Sequence, residues 1–133
     1  MTDNGDPQKA QAYFDRGRDV ADAGNFDYAI DLFLHGLSLD PDNIFAHKEL
    51  RFIAIERKAR GGKDIGSFEK IELRKAIATS NDHKRALFIA EKLFAYDPGS
   101  IEWITAASIH ARKAGFEGAA KWLEQLLEIA AGE

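Results

Sequence analysis

Histidine is the one side chain whose ordinary pKa lies near neutrality, and this chain has four: His35, His47, His83 and His110. A metal site would place two of them four residues apart on one helix face, or in a His-Glu-x-x-His arrangement. No two stand at either spacing. Each falls near the edge or surface of a periodic segment, so the sequence favours ordinary exposed histidines over ligands or bases. The chain has no cysteine, which excludes disulfides, thiolate zinc sites and cysteine nucleophiles. Gly61-Gly62-Lys63 has neither the preceding strand nor the spacing of a phosphate-binding loop, so it reads as a flexible connector. Nothing local supports Ser/His/Asp catalysis. The expectation is a protein without catalytic residues, metal or cofactor, whose chemistry is recognition.

Charge is the next candidate for recognition. The net charge is −4, unevenly spread. Residues 1–47 carry three Lys/Arg against nine Asp/Glu, residues 48–92 twelve against seven, and residues 93–133 three against six. The basic middle centres on Arg57, Lys58, Arg60, Lys63, Arg74 and Lys75, with acids such as Glu56, Glu69 and Glu72 interleaved. That interleaving favours a solvated helix face. A docking surface for an acidic partner comes second. Nucleic acid comes last, because the patch has few aromatics and the chain is acidic.

These residues must be carried by helices. Valine occurs once, at Val20, while Ala, Leu, Ile, Glu and Lys dominate, which favours helix over strand. No run alternates with period two, so no sheet is expected. Pro7, Pro41 and Pro98 all fall between periodic segments. Punctuation then predicts helices at about 9–23, 26–39, 44–60, 67–80, 83–96, 101–114 and 116–131, with Asn43, Ser67 and Ser100 as N-caps. Gly24, Gly61-Gly62 and Gly115 act as stops. Residues 61–66 form a loop, and residues 1–8 a disordered acidic tail that lacks the features of a secretory signal. No apolar run is long enough for a membrane helix. A single domain over 9–131, cytoplasmic and clear of membranes, is the expectation.

Residues 9–43 resemble one tetratricopeptide repeat. With Ala10 as position one, Tyr13 takes the early aromatic place and Gly17 the small place where the helices cross. Gly24 makes the turn, Phe26 follows it, Ala29 and Gly36 take the other small places, Phe33 the aromatic one, and Pro41 closes. Arg16 and Val20 depart from the usual Leu and Tyr. Residues 100–131 resemble a second, looser repeat through Trp103 or Ile104, Gly115, Phe116, Ala119, Leu123 and Leu126. The middle, 44–98, holds three helices where a repeat holds two. The fifth helix, closed by Asp97-Pro98, looks like the second member of a hairpin. Its partner is either the third helix, with the fourth inserted, or the fourth, with the third extra; the third is preferred because it follows Pro41 at the family spacing.

The resemblance implies an all-α, right-handed superhelix of about seven antiparallel hairpin helices. It also implies a non-catalytic adaptor that binds a protein or peptide in a concave groove. Carrying over the groove places gives Gln11, Phe14, Arg18 and Asp22 on the first helix, Phe45, Lys48, Phe52 and Glu56 on the third, and Thr105, Ile109 and Arg112 on the sixth; of these, Phe14, Arg18, Phe45, Lys48, Phe52, Ile109 and Arg112 are the seven binding candidates. Rings would supply contact area and the cations would hold carboxylates. Phe14 and Phe52 as ordinary core is the rival. The family's chaperone-tail clamp expects Lys and Asn where this chain has Phe14 and Arg18, so that role is not implied. The last helix is apolar beyond one stripe. Trp122, Leu123 and Leu127 are therefore candidates for a homodimer contact, or for the next repeat of a longer array.

Overall fold

A computed structural model describes residues 5–132 of the chain. Among those residues the chain forms seven helices and no strand: α1 (Pro7–Asp22), α2 (Phe26–Leu39), α3 (Ile44–Ala59), α4 (Ser67–Thr79), α5 (His83–Tyr96), α6 (Ile101–Ala114) and α7 (Glu117–Ala131). The starts follow from short polar side chains that accept otherwise orphaned amides. Asp6, Asn25, Asn43, Asp82 and Ser100 each cap a helix in this way. Two starts lack such a local cap. α4 begins after Gly66, and Ser67, expected as its cap, is its first residue. α7 follows Phe116 and is capped from far away: the amide of Ala119 donates to Asp42 Oδ1 at 2.7 Å. Gly115 closes α6 in the left-handed region, at φ 84°, where a glycine costs least.

The tail is shorter than the sequence suggests. Pro7 and Gln8 are already helical, Asp6 caps α1, and the Asp6 amide donates to Leu39 O at 2.7 Å. The remainder of that expected tail, residues 1–4, lies outside the described residues. None of the described helices is long and apolar enough to cross a membrane.

α1 and α2 form an antiparallel hairpin. Tyr13 stacks on His35 near one end, while Arg16 reaches Tyr28 near the turn. Glycine makes the close approach possible. A Cβ on Gly36 would stand 2.4 Å from the Phe14 ring, and one on Gly17 would stand 2.7 Å from the Phe33 ring. α4 with α5, α5 with α6, and α6 with α7 are also antiparallel neighbours, as the contacts Glu69–Lys92, His83–His110 and Arg112–Glu117 mark. α3 is different. His47 meets Glu91, Arg51 lies over Phe94, and Arg57 lies over Tyr96. Those contacts advance in the same order along both helices, so α3 crosses α5 in the same sense. The sequence preference for α3 as the hairpin partner of α5 is corrected: α4 and α6 hold that place.

Two apolar clusters result. Phe14, Ile30, Phe33, Leu37, Leu50 and Ile53 fill the first, between α1, α2 and α3. Leu87, Leu93, Phe94, Trp103, Ile104 and Leu123 fill the second, between α5, α6 and α7. Phe88 and Tyr96 of α5 touch both clusters.

Candidate functional site

α3 presents two faces. His47, Leu50, Ala54 and Arg57 are buried, at helical spacing. Phe45, Glu49, Phe52 and Glu56 recur at steps of four, three and four on another stripe. Phe45 and Phe52 are 80% and 77% exposed, far more than an apolar ring needs to be. Between this stripe and α1 lies a cleft of about 310 Å³, lined by Arg18, Ala21, Asp22, Glu49, Phe52, Ile53 and Glu56. Arg18 bridges its walls. Its Nε donates to Glu49 Oε2 at 2.6 Å, one terminal nitrogen donates to Glu49 Oε1 at 2.5 Å, and the other donates to Asp15 at 2.8 Å. The hydrogen bond to Glu49, ahead of every other cause, raises the guanidinium above its ordinary pKa.

Of the seven groove candidates, Arg18 and Phe52 line this cleft, and Phe45 and Lys48 stand exposed on the same helix. Phe14 does not. It is buried against Phe33 and Gly36, in the space the glycine leaves, so it is core. Ile109 and Arg112 sit on α6, outside the lining. Arg112 is bound to Glu117 and Glu124 of α7, and the hydrogen bond to Glu124 leads the causes that raise its pKa. Arg18 and Arg112 also have carboxylate partners that the sequence reading did not foresee. Each guanidinium is engaged by carboxylates of its own chain through three N–H donors, Arg18 by Glu49 and Asp15 and Arg112 by Glu117 and Glu124. Glu49 is the residue the sequence reading missed. The step from Phe45 through Glu49 to Phe52 was the available signal.

The basic middle is broken up in the same way. Arg57 is only 8% exposed, donates to Asp27 and to Lys63 O, and lies 4.3 Å over the Tyr96 ring. Arg60 pairs with Glu56, and Arg74 makes a two-bond pair with Glu102 above Trp103. Lys58, Lys63 and Lys75 remain exposed, but the six cations do not form one surface. The candidate self-association residues turn inward. Leu123 is fully buried, and Trp122 and Leu127 pack on the second cluster, because α7 covers both α6 and the start of α3.

His47 is a correction among the polar residues. Expected at the surface, it is fully buried. Its Nδ1 is 2.6 Å from Glu91 Oε2, its Nε2 is 2.8 Å from Pro41 O, and its ring lies 6.1 Å from that of Trp122. Burial opposes charge on the ring. The attraction and hydrogen bond of Glu91, the Pro41 carbonyl and Asp42 outweigh it, so the pKa is raised. The other oxygen, Glu91 Oε1, has no partner among the described residues. Asp42 also caps α7, so the turn between α2 and α3 meets α3, α5 and α7 at one polar knot. His83 and His110 pair through their Nδ1 atoms at 3.1 Å, while His35 is exposed against Tyr13. Among the described residues no group of three His, Asp or Glu side chains is placed to hold a metal.

Compared with protein-family models, with curated proteins and with solved structures, the chain matches none.

Proposed function

We propose that the chain is a non-catalytic docking module of the tetratricopeptide-repeat kind. In this reading its helical hairpins form a superhelix, and a segment of another protein lies across α3 and enters the α1–α3 cleft. The observation that carries the reading is the pair Phe45 and Phe52, exposed at 80% and 77% on the helix that walls the cleft. Exposed rings on a rigid support offer contact area at small entropic cost, and such anchors dominate binding energy where they become buried. The support is rigid for a stated reason: the opposite face of α3 is held by the polar knot and by Leu50 and Ala54. Arg18 and Glu49 are hydrogen-bonded to each other across the cleft, which suits recognition better than proton transfer.

The test is selection from a displayed random-peptide library on the wild-type protein, with enriched peptides then measured against Phe45→Ala/Phe52→Ala. Losing one buried ring anchor costs about 2 kcal/mol or more, roughly thirty-fold in affinity. Enriched peptides that lose at least that much support the reading. Peptides that bind both proteins equally place the docking surface elsewhere, and a selection that enriches nothing removes the proposal.

A further inference from the structure

We infer that the segment this cleft accepts is basic and apolar, with two apolar anchors and lysine or arginine between and beside them. The inference rests on the docking reading and adds the chemistry of the partner. Four charged side chains line the cleft: Arg18 against Asp22, Glu49 and Glu56. Arg18 is already engaged by Glu49 and Asp15 through three of its N–H donors. Asp22 has no ion-pair partner among the described residues, and Glu56 is held only by Arg60, in a solvent-exposed pair 2.9 Å long. Such a pair holds its partners weakly and can exchange for an incoming cation. Lys48 is exposed on α3 but lies outside the lining. An entering carboxylate or phosphate therefore meets like charge on both walls, and the one guanidinium there is already engaged by two carboxylates. An entering cation meets Asp22 and Glu56 directly, and the faces of the two exposed rings can also receive it.

The spacing sets the pattern. Phe45 and Phe52 are seven residues apart on one helix, which separates their attachment points by about 10 Å. A segment in the polyproline II conformation, with three residues per turn and about 3.1 Å of rise each, returns to the same face after three residues and about 9 Å. Glu49 stands between the two rings on α3. Apolar anchors three positions apart, with cations in the positions between them, match rings and carboxylates together.

The test titrates the full chain, by calorimetry, with a capped Ser-Lys-Leu-Lys-Lys-Leu-Lys-Ser peptide and with its twin carrying glutamate for each lysine. The lysine probe binds at least about ten-fold tighter than the twin, and weakens as salt rises. Asp22→Lys/Glu56→Lys, two exposed positions outside both apolar clusters, reverses that order, and circular dichroism checks its fold. Phe52→Ala weakens the lysine probe by about ten-fold with the charges intact. Equal or tighter binding of the glutamate twin overturns the inference and leaves the docking reading standing. Unchanged binding of the lysine probe to the charge-reversed variant overturns it too, because the contact is then elsewhere. A protein that takes neither probe also overturns it, and the library selection decides separately whether any peptide docks.

Discussion

The knot where α3 meets α5 and α7, and the cleft between α3 and α1, use the same parts: a cation, carboxylates and an aromatic ring. They differ in water. At the knot His47 and Glu91 are fully buried, and His47 lies near Trp122. At the cleft the Arg18 and Glu49 side chains are 41% and 36% exposed, beside an exposed Phe52. Attraction between charges is strong but costly where water is excluded, and weak but cheap where water remains. The knot therefore joins helices, while the cleft keeps its groups exchangeable. One helix, α3, carries both on different faces: one is locked into the fold and the other stays open to solvent.

The sharpest way to break this comparison is to remove one partner from the knot. His47→Ala leaves Glu91 buried without its cation and should cost about 3–5 kcal/mol, read from the urea midpoint. His47→Leu/Glu91→Met removes both charges and should fall within about 1 kcal/mol of wild type, or above it. The single variant should thus be much the worse of the two. A single-variant loss below about 1 kcal/mol would mean that water reaches the pair, and the contrast with the cleft would vanish.

Much of the architecture was legible because it is local. Gly24, Gly115, Pro41 and Pro98 punctuate the helices, and Asn43 and Ser100 cap them, within one or two residues of expectation. What could not be read depends on how hairpins stack. Glu91 lies 44 residues from His47, Glu49 lies 31 from Arg18, and Asp42 caps an amide 77 residues away. No periodicity within one helix encodes such pairs. The buried position of His47 did leave a trace, since it shares a helical stripe with Leu50 and Ala54. A stripe of that kind outranks the general preference of histidine for surfaces. The ties of Arg18 to Glu49 and of Arg112 to Glu124 were illegible for the related reason that those carboxylates sit on other helices.

A smaller effect sharpens the comparison through pH. The pKa of His47 is raised above 6.5 in the fold, so the native state holds a proton that the unfolded chain releases. The stability from this pair is complete below about pH 6.5 and falls as pH rises through the folded pKa, by at most about 1.4 kcal/mol per pH unit. His110 has a lowered pKa, owing first to burial and then to His83 and Lys113, so its contribution has the opposite sign and acts below 6.5. Urea midpoints measured above pH 6.5 isolate His47. Wild type should lose stability with rising pH there, and His47→Leu/Glu91→Met should lose less. Parallel curves for the two proteins would show that the buried pair does not hold its proton.

The smallest expected effects lie at the cleft, and they test its openness. Arg18→Ala removes an exposed pair and should change stability by about 0–1 kcal/mol. Phe52→Ala removes a ring that is already mostly in water and should change it by about 0.5 kcal/mol or less in either direction. The knot and the cleft then separate by several kcal/mol for substitutions on one helix. A loss of about 2 kcal/mol from Phe52→Ala would mean that the ring is packed in solution, as large-to-small core changes cost that much. The cleft would then be closed by the chain itself, and the face of α3 that carries Phe45, Glu49 and Glu56 would no longer be available to a partner.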